Sequence, residues 1–352
     1  MNYLSEKAKG LTPYVAGLQP QESGWIKLNT NENPYPPSPK VLEAIKNADL
    51  TRLRLYPDGD STELRKAIAS NLGVSSENIF CGNGSDEVLA LAFQAFFSGK
   101  VNVMTPDISY GFYTVWGSMY DVGLEFCHLN NNFTIDTAHY KNANGVVIAN
   151  PNAPTSMALE RFQIELILKN NPNGVVIIDE AYIDFANVES AVNLLEKYEN
   201  LLVVRTFSKS HSLAGMRVGY AIGHPALIEA LRLMRDSFNS YPLDMLAQTA
   251  AIAAIQNETP CSRIMNTRGS TITHLHKMGY EVPPSQTNFI LIITAQAGEL
   301  YAHLHENKIL TRYWDRPRLK CYLRVSIGTD DEMEVFLKCV QDFIAEKQKR
   351  HK

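Results

Sequence analysis

Thr206-Phe207-Ser208-Lys209-Ser210-His211-Ser212-Leu213-Ala214-Gly215-Met216-Arg217-Val218-Gly219-Tyr220 follows directly on the apolar run Leu201–Arg205. A short run of this kind predicts a strand buried on both faces. A lysine just past the carboxyl end of a parallel strand stands where open α/β sheets put their ligands. Its amine can form a Schiff base with a carbonyl cofactor. Ser208 and Arg217 can bind a phosphate through charge-assisted hydrogen bonds. Taken alone, a Ser-Lys pair is more often part of a solvated loop.

Working outward, the chain alternates such runs with helical patterns. Val101–Thr105, Gly145–Ala149, Val175–Ile178 and Val218–Ile222 are further strands, and Asp86–Phe97 is a helical stretch rich in Leu and Ala. This alternation predicts an α/β fold, a mostly parallel sheet flanked by helices. Residues 1–37 read as an arm that ends in the turn-rich Asn33-Pro34-Tyr35-Pro36-Pro37. Residues 38–258 form the large domain. Residues 259–352 form a smaller α/β C-terminal domain: helix Ile264–Met278, strand Phe289–Ile293, helix Gly298–Asn307, strand Tyr322–Ile327 and helix Asp331–Lys347.

Composition narrows the partners. Of 352 residues, 45% are hydrophobic and 20% charged, as in an ordinary globular protein. Lys+Arg 33 against Asp+Glu 37 leaves a net charge of −4, which offers nothing to nucleic acid or an acidic membrane. An anionic substrate therefore needs a local cluster of arginines. Met1-Asn2-Tyr3-Leu4-Ser5-Glu6-Lys7 has no apolar core of a signal peptide. No apolar run reaches the ~18 residues of a membrane span. Five cysteines, an odd number and widely spaced, read as reduced thiols of a cytoplasmic protein. The Asn-x-Ser/Thr triplets at Asn83, Asn132 and Asn257 are then idle. His274 with His276, and His303 with His305, are spaced i,i+2, which puts them on different helix faces, so no metal site is expected.

Three further segments add chemistry. In Val176-Ile177-Ile178-Asp179-Glu180-Ala181-Tyr182 a carboxylate ends a buried strand. Asp179 can pair with a protonated pyridine nitrogen, and Tyr182 can hydrogen-bond a phenolic ring oxygen. Asp179 reads also as a helix N-cap. In Cys81-Gly82-Asn83-Gly84-Ser85-Asp86-Glu87 the glycines let the backbone approach a ligand, and the following helix offers free N–H groups to a phosphate. Glu87 stands where a dinucleotide fingerprint needs glycine, so this is either a phosphate loop of another kind or a capped turn. Asn150-Pro151-Asn152-Ala153-Pro154-Thr155 is turn-forming and says little by itself.

In order and placement these segments resemble the fold-type I pyridoxal-phosphate aminotransferases, and within them the histidinol-phosphate aminotransferase branch. The resemblance runs over nearly the whole chain. It includes Leu11-Thr12-Pro13-Tyr14, Leu28-Asn29-Thr30-Asn31-Glu32-Asn33-Pro34, Tyr56-Pro57-Asp58, Pro106 to Tyr113, Thr287-Asn288-Phe289 and Leu323-Arg324-Val325-Ser326-Ile327-Gly328. It implies pyridoxal 5'-phosphate as cofactor, a homodimer, and amino transfer from histidinol phosphate to 2-oxoglutarate in histidine biosynthesis. Lys209 is then the cofactor-carrying lysine that also moves the Cα proton. Asp179 holds the ring nitrogen, Tyr182 the ring oxygen, and Tyr110 stacks on the ring. Ser85, Asp86, Ser208 and Arg217 cradle the phosphate, and Tyr56 reaches the phosphate of the neighbouring subunit. Arg324 grips the substrate carboxylate or phosphate, while Arg312 and Tyr14 shape the distal pocket.

Two positions depart from the family pattern. The family commonly has Asn-Asn-Pro-Thr-Gly, with the asparagine before proline touching the ring; here Ala153 and Ser156 stand in the second and last places. The ring-oxygen contact then rests on Tyr182, with Asn152 as a substitute. His211 replaces a frequent aromatic residue and reads as a packing or loop-bonding residue rather than a pocket residue. Within the class, the alternatives are an aromatic-amino-acid aminotransferase and a threonine-phosphate decarboxylase. Outside it stand a pyridoxal-binding regulatory domain, which normally follows a DNA-binding module, and a non-catalytic sugar- or nucleotide-binding α/β protein.

Overall fold

The structure, a computed structural model, describes residues 3–350. Met1 and Asn2 of the expected arm, and His351 and Lys352 of the expected C-terminal domain, lie outside the described residues. The strands are β1 (Ile26–Lys27), β2 (Ile79–Asn83), β3 (Val103–Pro106), β4 (Leu124–Cys127), β5 (Gly145–Ala149), β6 (Val175–Asp179), β7 (Leu201–Thr206), β8 (Val218–Gly223), β9 (Phe289–Ile293), β10 (Ile309–Leu310), β11 (Arg312–Tyr313) and β12 (Tyr322–Ser326). Seven of them form the main sheet in the order β2-β8-β7-β6-β5-β3-β4. Only β8 runs antiparallel to its neighbours.

Period-2 alternation sorts the central strands onto two cores. Val146, Ile148, Val176, Ile178, Leu201 and Val203 face one side, where helix Met245–Ile255 packs. Val147, Ala149, Ile177, Leu202 and Val204 face the other, against helix Gly84–Ala92. A strand with both faces covered cannot alternate polar with apolar, which is why these runs are continuously apolar. Each fully buried Val, Leu or Ile contributes about 1.5–3 kcal/mol.

Three readings need correction. The first run starts at Val103, not Val101, because Asn102 adopts φ +58° in the turn after Gly99 and leaves Val101 exposed. Cys81-Gly82-Asn83 is the end of strand β2 rather than a loop, with Gly82 paired to Gly219 of β8. The helix after it begins at Gly84, and its last turn, Phe93–Phe97, winds as a π-helix.

The C-terminal part holds an antiparallel sheet, β11-β12-β9, and its helices Cys261–Lys277, Ala297–Glu306 and Asp330–Arg350 share a separate core with it. The N-terminal segment is tied to this part, since β1 pairs in parallel with β10. Among the described residues, no helix is long and apolar enough to cross a membrane.

Candidate active site

The carboxyl ends of β2, β3, β5, β6 and β7 open on one edge of the main sheet, and β8 starts there. A cavity of about 390 Å³ lies at that edge, lined by side chains that include Ser85, Asp86, Tyr110, Ala153, Asp179, Tyr182, Ser208, Lys209 and Arg217. Its size suits one small organic molecule.

Asp179 ends β6 and is fully enclosed. Tyr113 Oη donates to its Oδ2 at 2.9 Å, and the backbone N–H of Ala181 to its Oδ1 at 3.2 Å. Burial pushes its carboxyl up to about 6 against these two bonds, with Asp86 and Glu180 adding repulsion. Asp179 is not the helix cap that its place also suggested: it closes a turn through the Ala181 N–H, no helix starts from it, and it faces the cavity as a carboxylate without a cation. Glu180, next in sequence, points the other way. It pairs with Arg205 at 2.9 Å and accepts from Ser190 Oγ and the N–H of Ala191, which pins the loop behind the site.

Lys209 follows β7. Its Nζ donates to the Thr30 carbonyl at 3.2 Å and sits 5.6 Å above the Tyr182 ring centroid. Asn33 Nδ2 donates to the carbonyls of Lys209 and Ser210, at 3.0 and 3.1 Å, and so fixes the lysine's loop. His211 packs on Phe207 with ring centroids 4.9 Å apart, and its Nδ1 lies 2.9 Å from Ser210 Oγ. It braces the loop from behind, as the packing reading has it.

The Gly-x-Arg-x-Gly stretch works through close approach. A methyl built on Gly219 would fall 2.2 Å from the backbone nitrogen of Ser85, so only glycine lets β8 run beneath the start of helix Gly84–Ala92. Arg217, in the left-handed region at φ +53°, then reaches across Gly84 and donates to Asp86 Oδ2 at 3.1 Å. No side chain caps this helix, so its first N–H groups, with Ser208 and Arg217, make an anion cradle. Asp86 can serve that cradle only through its N–H. Its carboxylate is held by Arg217 and by Tyr110 Oη, the latter at 2.7 Å, and an anion would repel it.

Arg324 on β12 is half-buried beside Tyr182 and Tyr14. Its Nη2 donates to the Asn29 carbonyl at 2.7 Å, and its Nε has no partner. Burial, reinforced by Arg312, lowers it to about 10, and the groups that oppose this fall are two tyrosines, not carboxylates. A guanidinium so placed lacks an anion. Arg312 lies nearer the surface, donates to the Val15 carbonyl at 3.2 Å and stacks over Trp314 at 5.5 Å. Tyr14 stacks on Phe112 at 4.5 Å, outside the cavity lining.

Five expected residues are absent from this lining: Arg324, Arg312 and Tyr14, placed above, and Asn152 and Tyr56. Asn152 is buried, and its amide is used up: it donates to the Ile108 carbonyl and Thr155 Oγ1 and accepts from Ser109 Oγ. It cannot replace the missing asparagine, and Ala153 offers the cavity a methyl group only. Tyr56 is 82% exposed and stacks on Tyr241 at 4.7 Å. Conversely, Gln19, Thr30 and Glu32 line the cavity without having been singled out, and Asn31, Asn33 and Tyr113 support it. The polar run Asn29–Asn33 is the visible signal for four of them, Thr30, Asn31, Glu32 and Asn33. Among the described residues no cluster of three or more His, Cys, Asp or Glu could hold a metal ion.

The family model for aminotransferase class I and II matches residues 23–340. A histidinol-phosphate aminotransferase of Clostridium botulinum is 49% identical over 349 residues, covering 97% of this chain and 98% of that protein. One from Brachyspira hyodysenteriae is 46% identical over 350 residues, covering 97% and 99%. Among solved structures, a histidinol-phosphate aminotransferase from Sinorhizobium meliloti in complex with pyridoxal-5'-phosphate superposes with a TM-score of 0.88, at 23% identity and 98% coverage of both chains.

Proposed function

Because the chain belongs to the class I and II aminotransferase family, we propose that it transfers an amino group reversibly from histidinol phosphate to 2-oxoglutarate, in histidine biosynthesis. As a member of that family it is a pyridoxal-phosphate-dependent aminotransferase of fold type I. One observation carries the reading: a single cavity gathers a lysine, a buried carboxylate lacking a cation, and an anion cradle. These three fit the aldehyde, the protonated ring nitrogen and the phosphate of the cofactor.

When bound, the cofactor's ring accepts the electron pair left as the substrate's Cα–H bond breaks. The chain's own residues do the rest. Ser85, Ser208, Arg217 and the helix N–H groups hold the phosphate. Asp179 would keep a positive charge on the ring nitrogen, and Tyr110, bonded to the Asp86 carboxylate, would pack on the ring. Lys209 Nζ would take the proton from Cα and deliver it to the carbon that carried the cofactor's aldehyde. Its reach is short because Asn33 fixes the loop by its Lys209 and Ser210 carbonyls and the Thr30 carbonyl holds Nζ itself. Arg324 binds the carboxylate of glutamate or, in the same place, the phosphate of histidinol phosphate. Arg312 and Tyr14 border the outer part of the pocket.

Substrate choice is tested by a pair of arginine variants. Arg324→Ala should lower kcat/KM for histidinol phosphate and phenylalanine alike, since each presents an anion to it. Arg312→Ala should harm the dianionic histidinol phosphate far more than phenylalanine, by about ten- to a hundredfold, the worth of one charged hydrogen-bonded pair. Equal losses on both substrates in Arg312→Ala, or none, would remove Arg312 from phosphate binding. Turnover of phenylalanine without histidinol phosphate would favour an aromatic-amino-acid enzyme. Carbon dioxide released from threonine phosphate would favour the decarboxylase.

The exposed segment Leu50–Tyr56, with Leu53 and Tyr56 outermost and Tyr241 stacked beside them, supports a homodimer in which Tyr56 serves the neighbouring site. Tyr56→Phe and Lys209→Ala should each be weak alone. Mixed under conditions of proven subunit exchange, they should regain a fraction of wild-type rate, because some heterodimers hold one site with both residues intact. Absence of any recovery would mean that Tyr56 acts within its own chain. A cytoplasmic enzyme accords with the five free cysteines, four of them buried.

A further inference from the structure

The segment from Leu28 to Asn31 crosses the site and engages it with every backbone carbonyl. Leu28 O accepts from the N–H of Ser326, Asn29 O from Arg324 Nη2, Thr30 O from Lys209 Nζ and Asn31 O from Asn288 Nδ2. Two side chains of this run also reach the cavity wall: Thr30 Oγ1 donates to the Glu32 carboxylate at 2.6 Å, and Asn31 reaches the Tyr182 phenol. Asn31 Nδ2 lies 3.0 Å from Tyr182 Oη, and the residue is buried to 2% exposure in the left-handed region at φ +57°.

Its neighbours determine which end of the amide meets the phenol. Ser326 Oγ accepts from the Asn31 N–H at 2.9 Å and donates its one proton to Asn31 Oδ1 at 3.0 Å. A flipped amide would leave that hydroxyl proton without an acceptor in a buried place. The unflipped amide gives that hydroxyl proton its acceptor. Tyr182 Oη therefore receives a hydrogen bond. No protein acceptor among the described residues takes the phenol's own proton. The cavity wall at Ala153 has no amide of its own to offer.

We propose that Asn31 is a positioning residue for Tyr182: by donating to Oη it turns the phenol proton into the cavity, where the cofactor's ring oxygen would accept it. The inference rests on the pyridoxal reading of the cavity. The arm then supports from one side the oxygen contact that Ala153 cannot make from the other. Because Asn31 is bonded to Ser326, on the strand of Arg324, this contact is also tied to the substrate-binding strand.

A donated hydrogen bond favours the ionised form of a ring oxygen, so it lowers the pH at which the bound cofactor's visible absorbance changes. The test is that midpoint, measured on purified holoenzyme of the wild type, Asn31→Gly, Tyr182→Phe and the double variant. Glycine tolerates the left-handed backbone and removes the donor without adding charge. Asn31→Gly should raise the midpoint by about one pH unit, the scale of a hydrogen bond to a charged group. The double variant should lie no higher than Tyr182→Phe. Should Asn31→Gly not fold, Asn31→Asp keeps the shape and the backbone while reversing the bond, so that the phenol donates to the carboxylate; it too should raise the midpoint. A purely structural Asn31 would change melting temperature and leave the midpoint in place. An unmoved midpoint where Tyr182→Phe shifts, or shifts that simply add in the double variant, overturns the proposal. A wild type with no cofactor absorbance at all would overturn the cavity reading itself, and the proposal with it.

Discussion

Lys209→Ala is expected to fold, to retain pyridoxal phosphate in its cradle, and to lose amino transfer by at least about a thousandfold. The loss combines two functions: the amine that carries the cofactor and the base that moves the Cα proton, of which a positioned base alone is worth about a hundred- to ten-thousandfold. Among the described residues no other lysine lines the cavity. The loop itself should survive the change, because it is held by main-chain bonds, Asn33 Nδ2 to the Lys209 and Ser210 carbonyls, rather than by the lysine side chain. The measurement is the single-turnover conversion of bound cofactor on addition of histidinol phosphate. A rate within tenfold of wild type would return Lys209 to an ordinary solvated loop lysine.

Asp179→Ala should lower activity by several orders of magnitude, and Asp179→Asn nearly as much. Neither can keep a proton on the ring nitrogen, and a charged partner lost inside a shielded site costs several kcal/mol, at ~1.4 kcal/mol per tenfold. An effect below about tenfold would leave Asp179 as a turn-closing residue only. The cofactor-free protein offers an independent check. Burial holds this carboxyl at about 6, above its unfolded value of about 4. The folded chain therefore binds the extra proton between those values, and this group's contribution to stability falls as pH rises from 4 to 6. Above pH 6 the fold carries an uncompensated buried charge. Cofactor-free Asp179→Asn should accordingly melt higher than cofactor-free wild type at pH 7.5, by roughly 1–3 kcal/mol, with the gap closing towards pH 4.5. Its amide oxygen can still accept from the Ala181 N–H, and the Tyr113 hydroxyl can turn to accept from the new amine. Equal melting temperatures at both pH values would mean that Asp179 does not bear that buried charge. On the pyridoxal reading the same residue would weaken the empty fold and strengthen the loaded one.

Some of this was legible along the chain because the signal is local. Val147–Ala149 and Val176–Ile178 read as strands since a run buried on both faces must be continuously apolar. Lys209, Asp179, Ser85 and Arg217 could be picked out because each follows or precedes such a run, and parallel strands deliver their carboxyl ends to one edge. The direction of β8 was not legible: a hairpin-like return and a parallel crossover leave the same apolar run. The departures at Ala153 and Asn152 were visible as letters, but not their consequence. Whether Asn152 faces the cavity depends on Ser109, Ile108 and Thr155 claiming its amide.

The sequence by itself determined the alternating α/β layout, the chemistry of the lysine, carboxylate and phosphate loop, and the need for arginines in a chain of net charge −4. Those follow from periodicity and composition, which act over a few residues. Only the tertiary structure decided that Tyr113 backs Asp179, that Asn31 reaches Tyr182 across 151 positions of chain, and that the Nε of Arg324 is buried and unpartnered. These depend on hydrogen bonds and desolvation between segments far apart in the chain. Such contacts leave no pattern in either segment alone, and they exist only once the arm, the main sheet and the C-terminal sheet are packed together.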